Sequence, residues 1–170
     1  MEILKIIKDK DFGFTDETKN NYEQRVAARA VVFDKNKKVA LLHVAKNNYH
    51  KLPGGGVEEG ESLEQGLRRE ILEEVGCQIK NIQELGVVEE YRNQFNLKQV
   101  SYCYVADVEG EIGEQKLEQS EIDEGHDLEW MDLDEAIKLL EKEKEVRDYE
   151  GKYIRDRDLV FLKKAREIVS

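Results

Sequence analysis

Three glutamates, Glu70, Glu73 and Glu74, stand close together in the stretch GGGVEEGESLEQGLRREILEEVGC, residues 54–77. On a helix from Ser62 to Val75, at about 100° per residue, Leu67, Ile71 and Val75 form an apolar stripe. Glu70 and Glu74 then fall one turn apart beside that stripe, with Glu73 just beyond them. Like charges four residues apart weaken an isolated helix, so the group is expected to face a cation. Magnesium prefers oxygen ligands, keeps several waters and is commonly completed by substrate phosphates. The chemistry within reach is the binding of a hydrated divalent cation and, through it, of a phosphorylated ligand. Arg69, four residues before Glu73, can pair with it and fix its orientation. Arg25 and Arg29 alternate onto one strand face and can hold phosphate oxygens through forked hydrogen bonds. His50, just ahead of the glycines, is a candidate pocket residue. A solvated helix laced with salt bridges is the competing reading. Two features count against it: the carboxylates border the apolar stripe, and Gly54-Gly55-Gly56 can bring backbone close to a ligand.

The elements that must position these residues are legible around them. Arg25 to Asp34 alternates and is rich in small and β-branched residues, which predicts a strand. Asp34-Lys35-Asn36-Lys37 supplies a turn, and Lys38 to Val44 the returning strand. Leu52 to Gly56 is expected to be loop, since proline restricts the residue before it and three glycines favour neither element. Ser62-Leu63-Glu64-Gln65 is a capping-box pattern that starts the helix, and Gly76 suits its C-terminal cap. Strands follow at Ile82 to Tyr91, Gln99 to Val108 and Asp127 to Met131. Asp132 or Asp134 can cap a short helix through Leu140. A last helix is expected from about Asp158 to Val169, with Leu159, Leu162, Ala165 and Val169 near one face. The charged segment Lys152 to Arg166 reads as a solvated helix face. This order predicts a mixed α/β sandwich, with residues 1–24 an N-terminal strand or extension, 25–145 the main domain and 146–170 a C-terminal helix on the same domain.

Gly55, Glu61, Arg69-Glu70-Ile71, Glu73-Glu74 and Gly76 reproduce the spacing of the Nudix box, and the chain resembles that superfamily, MutT-like members in particular. Cys77 departs from the usual aliphatic residue there, a change that packing can absorb. The resemblance implies the Nudix α/β/α sandwich with a mixed sheet and a metal-dependent pyrophosphohydrolase. It implies that Glu70, Glu73 and Glu74 bind Mg2+ or Mn2+, that the Gly54 carbonyl adds a ligand, and that Arg69 orients the carboxylates. Gly55, Glu61 and Gly76 are then structural members of the motif. In the family the general base is a box glutamate or a glutamate of a later loop. Here Glu124-Gly125-His126-Asp127-Leu128-Glu129-Trp130 resembles the MutT segment that carries it, which makes Glu124 the first candidate and Glu121 the second. The implied substrate is a nucleoside diphosphate linked to another moiety. A house-cleaning triphosphatase for oxidised nucleotides and a non-catalytic nucleotide sensor are the alternatives, and an intact carboxylate set argues against the sensor.

The totals narrow the choice further. A chain of 170 residues is about one domain. Its net charge of −11 argues against broad contact with nucleic-acid phosphates. Small phosphorylated ligands held through a metal remain compatible. Two cysteines are too few for a disulfide framework, and no stretch is long and apolar enough for a signal peptide or membrane span. These features predict a cytoplasmic protein with a small-molecule partner and neither nucleic acid nor membrane; the resemblance admits a homodimer.

Overall fold

The computed structural model describes residues 1–17, 19–145 and 148–169. The boundary expected between residues 145 and 146 abuts two positions, 146 and 147, outside the described residues.

The alternating run that predicts the first strand builds the centre of the sheet. It is β2 (Glu23–Phe33), preceded by β1 (Ile3–Lys8) and followed by β3 (Val39–Val44), β4 (Tyr49–Lys51) and β5 (Gly54–Gly56). After α1 (Leu63–Glu74) come β6 (Gln78–Arg92) and β7 (Leu97–Glu109). Then follow α2 (Gln119–Glu124), β8 (His126–Met131), α3 (Leu133–Lys142) and α4 (Tyr149–Val169). The strands form one mixed sheet in the order β1-β6-β7-β2-β3-β4, with β5 added to β2 and β8 to β3. β2 runs parallel to β7 along its whole length. On its other side it pairs with β3 only at Phe33 and with β5 at Ala27–Arg29. That change of partner opens the sheet where the glycines sit.

Small residues let the layers close. Ala28, Ala30 and Val32 of β2 face Leu67, Ile71 and Val75 of the α1 region, with Cys77 in the same cluster. The opposite face of β2, through Val31 and Phe33, packs against Ile137 and Leu140 of α3 and Phe161, Leu162 and Ala165 of α4. The result is the expected α/β/α sandwich. Ser62 caps α1: its hydroxyl accepts from the Gln65 amide at 3.1 Å, and the Gln65 side chain accepts from the Ser62 amide at 2.8 Å. Of the two candidate caps for α3, the structure selects Asp132.

Three expectations need correction. Gly54 to Gly56 is not loop but a short strand, because the β2 edge between Ala27 and Arg29 takes up its backbone groups. Residues 119–124, expected as loop, form α2. Finally, α4 starts at Tyr149, well before Asp158, and its buried face differs from the expected one. Tyr153, Ile154, Arg157, Asp158, Phe161, Leu162 and Ala165 are buried, whereas Val169 is exposed. Arg157 and Asp158 therefore lie in the middle of the apolar stripe, and the solvated-face reading of this segment does not hold for them.

Candidate active site

Glu74 is the most enclosed of the three helix glutamates. As the last residue of α1, beside Ile71 and Val75, it is carried into the protein and is only 1% exposed. One carboxylate oxygen accepts from the Gly54 amide at 2.6 Å, and the other lies 3.5 Å from Lys51 Nζ. Burial pushes its carboxyl up to about 8, against the pull of Lys51 and the Gly54 N–H. Such a group is satisfied either by a proton or by a cation brought to it.

Glu70 lies against the backbone of β5. A Cβ on Gly55 would stand 2.6 Å from its carboxyl carbon, so only glycine leaves this carboxylate its place. Arg69 holds Glu70 from the other side, donating from Nη1 at 2.7 Å, and forks onto Glu61 through Nε at 2.8 Å and Nη2 at 3.0 Å. Nη2 also donates to the Gly56 carbonyl at 3.0 Å. The Arg69 hydrogen bonds, together with the Glu58 amide, hold Glu61 down to about 2. Glu73 is the looser partner, 3.5 Å from Arg69 Nη1. The pairing that sequence spacing assigned to Arg69 and Glu73 is thus made more tightly with Glu61 and Glu70.

Gly54 is held in a left-handed conformation, φ +129°, pressed onto β2. Its carbonyl accepts from Arg29 Nη1 at 2.9 Å. Gly76, φ +78°, ends α1 and lies under Gly113 and Glu114. Beyond β7 the chain crosses this helix end: Gly113 N donates to Gly76 O at 2.8 Å, Gln115 Nε2 to Glu74 O at 2.7 Å and Lys116 N to Glu73 O at 2.7 Å. These bonds satisfy carbonyls that a helix terminus leaves open, and they deliver α2 to the carboxylates.

What α2 delivers is Glu121 rather than Glu124. Ligand atoms of Glu74, Glu121 and His126 lie within 4.8 Å of one another. Glu124 instead turns its carboxylate to His126 Nε2 at 2.9 Å and is half-exposed. Glu124 is the last residue of α2, ahead of Gly125, and there its carboxylate is taken up by His126, a distinction invisible while the segment reads as loop. His50 is not brought to the cleft either. Its neighbour Lys51 faces Glu74, and strand alternation sends His50 to the other side. There Glu143 takes its Nδ1 at 2.5 Å and Glu129 its Nε2 at 3.0 Å. Burial opposes the charge on His50, but the two carboxylates outweigh it and raise the imidazole above its ordinary value.

Between these groups runs a cleft of about 190 Å³. Glu70, Glu74, Glu118 and Glu121 line one wall; Arg25, Arg29, Arg92 and Arg157 line the other, with the three glycines between them. Arg25 donates to Gln99 Oε1 at 3.0 Å and stays exposed, whereas Arg29 is buried. Arg92 and Arg157 have no counterpart among the residues expected from sequence. For Arg157 a signal existed: it sits at helical spacing within the buried run of α4.

A model of the NUDIX domain family matches residues 23–154. The chain belongs to the Nudix family. It is 35% identical over 123 residues to the ADP-ribose pyrophosphatase of Methanocaldococcus jannaschii, with 69% of each chain covered. Among solved structures it resembles a MutT protein from Bacillus halodurans at 28% identity and TM-score 0.55, covering 68% of this chain and 72% of that one. A MutT protein from Methanosarcina mazei Go1 aligns at TM-score 0.60 over 90% of this chain and 100% of that one; at 19% identity that likeness speaks to the fold alone. This Nudix protein is accordingly a MutT-like hydrolase of phosphorus-containing acid anhydrides. Among its described residues no helix is long and apolar enough to cross a membrane.

Proposed function

We propose that this Nudix hydrolase uses a divalent cation, Mg2+ or Mn2+, to cleave the pyrophosphate of a nucleoside diphosphate linked to another moiety. The observation that carries the reading is the buried Glu74 carboxylate beside Glu121 in a cleft also lined by Arg25, Arg29, Arg92 and Arg157. The residues present fit such an ion. Glu70, Glu73 and Glu74 offer hard oxygen donors, and a buried carboxylate whose paired counter-charge is Lys51 at 3.5 Å is stabilised by an arriving cation. His126 beside them is tolerated better by manganese than by magnesium. Gly54 contributes by orienting Glu74 through its amide, while its carbonyl is already engaged by Arg29.

When bound, the ion supplies polarisation of the phosphoryl oxygens and a water of lowered pKa. The protein does the positioning. Arg69, locked by its fork onto Glu61, keeps Glu70 aligned. Glu121 takes the proton of the attacking water as its oxygen bonds to phosphorus and the bridging P–O bond breaks. Arg25 and Arg29 hold the non-bridging oxygens. The products are a nucleoside monophosphate and the phosphorylated second moiety.

The Glu121 assignment has a direct check. Glu121→Gln is expected to lower kcat by roughly 10²-fold or more, in the range that general acid–base groups supply. Glu124→Gln is expected to change it only a few-fold. Equal losses, or the larger loss in Glu124→Gln, would return the base to the MutT-like position.

The substrate is tested by phosphate release from ADP-ribose, dinucleoside polyphosphates, nucleotide sugars and normal and oxidised nucleoside triphosphates, with coupled phosphatase, in magnesium or in chelator. ADP-ribose leads the panel because the relative from M. jannaschii carries that activity in its name. Strong cleavage of a linked diphosphate only with metal is the expected result. Preference for an oxidised triphosphate would favour the house-cleaning alternative. Binding with no cleavage would favour the nucleotide sensor.

A further inference from the structure

The arginine wall carries more positive charge than its own surroundings answer. Arg29, Arg92 and Arg157 are all buried, and the fully buried carboxylates among them are Glu90 and Asp158. Arg92 is provided for at both terminal nitrogens, which donate to Glu90 and to half-exposed Glu150 at 2.8 Å each, and only its Nε lacks a partner among the described residues. Arg157 is not. Its Nε donates to Asp158 Oδ1 at 2.7 Å, while the other oxygen of Asp158 accepts from the Leu52 amide at 2.8 Å. Both terminal nitrogens of Arg157, fully buried, lack a hydrogen-bond partner among the described residues, and so does Arg29 Nε. The Glu90 Oε2 oxygen is 3.6 Å from Arg157 Nη1 and already accepts from Gln99 at 2.9 Å. Burial, and next the charge of Arg157, push Arg29 down to about 10, whereas Asp158 and Glu90 hold Arg157 above its ordinary value against its own burial.

Leaving buried charged donors unpaired is costly, and a protein that keeps two guanidinium groups this way is prepared for an anion. We propose that Arg157, with Arg29 beside it, is the subsite that grips the phosphate of the substrate lying opposite the carboxylate wall. The inference rests on the cleft being the pyrophosphate-cleaving site. Size agrees: about 190 Å³ is below the roughly 300–1,000 Å³ of pockets that enclose a whole drug-sized ligand. It suits two phosphate groups, with the nucleoside outside. Because Asp158 also holds the Leu52 amide, just ahead of β5, the C-terminal helix fixes the anion site and the glycine strand through one dipeptide.

The test uses the full chain in EDTA, so that neither metal nor turnover enters, with inorganic pyrophosphate titrated by calorimetry. Wild-type protein is expected to bind. Arg157→Gln is expected to bind at least about tenfold more weakly, as loss of a charge-assisted fork requires, while Lys163→Gln on the exposed face of α4 binds as wild type. Unchanged affinity in folded Arg157→Gln, or no binding by wild type, overturns the proposal. Should Arg157→Gln not fold, the wild-type protein still decides: the Arg29 Nε–H resonance is expected to shift on adding pyrophosphate, and its constancy overturns the subsite. KM for the cleaved nucleotide, measured with metal, is expected to rise about tenfold in Arg157→Gln as well. A KM that stays put while pyrophosphate affinity falls would assign the pocket to free phosphate and also overturn it. If wild type cleaves no nucleotide yet binds pyrophosphate through Arg157, the hydrolytic reading fails and the anion site is supported.

Discussion

Glu74→Gln is expected to lower metal-dependent turnover by well over 10²-fold while the protein remains folded. The loss exceeds the roughly 10–100-fold typical of outer-shell changes, because the substitution removes a charged donor from the metal-facing group itself. The fold survives for a structural reason. Glutamine keeps the shape, and its amide oxygen can still accept from the Gly54 N–H now held at 2.6 Å. Stability in chelator near neutral pH should even rise, since a buried carboxyl that must take up a proton to be neutral is replaced by a group that is always neutral. Added magnesium is then expected to raise the melting temperature of wild type and not of the variant. Turnover within a few-fold of wild type, or equal magnesium stabilisation of both, would remove Glu74 from the metal site.

The neighbouring glycines should respond to the same substitution in opposite ways. A methyl on Gly54 would meet the Ala28 carbonyl oxygen at 2.3 Å and Arg29 Cα at 2.6 Å, both backbone, and φ of +129° is foreign to alanine. The backbone conformation alone costs on the order of 1–3 kcal/mol, and the collision adds to it, so Gly54→Ala is expected to destabilise the whole domain. A methyl on Gly55 meets only the Glu70 carboxyl group, at 2.6 Å. That group is the far end of a flexible side chain and can swing aside. Gly55→Ala should therefore melt near wild type yet lose roughly 10–100-fold in kcat, the usual cost of misplacing a positioned group. Chemical denaturation beside kinetics separates the two. A Gly55→Ala enzyme of normal activity would mean that Glu70 has no fixed place in the reaction.

The box helix was legible because its signals reinforce each other: a capping box at Ser62, an apolar stripe through Leu67, Ile71 and Val75, and a glycine at the end. The central strands were legible from their alternation. What escaped was decided between distant segments. Residues 54–56 join the sheet only because β2 presents an edge to them. Glu121 rather than Glu124 comes to lie beside Glu74 through a short helix whose sequence, QSEIDE, lacks an apolar period. The burial of Arg157 and Asp158 contradicts the rule that mixed charges mark a solvated face, and the rule fails because Arg157 Nε donates to Asp158, whose other oxygen accepts from the distant Leu52 amide. His50 lay next to the right residue but on the wrong side of a strand.

The bonds from Gly113, Gln115 and Lys116 to the end of α1 bear on how the molecule comes into being. Carbonyls of residues 73, 74 and 76 acquire protein partners only when the chain beyond β7 has returned to them. The first turns of α1 can form from local information, whereas its last turn waits on a non-local closure that includes the β6–β7 hairpin. Glu73 and Glu74 thus belong to the part of the helix that matures late. During synthesis a nascent chain ending before Gly113 holds the whole box yet not its finished geometry, so the carboxylates of Glu73 and Glu74 take their final places at the closing stage of folding.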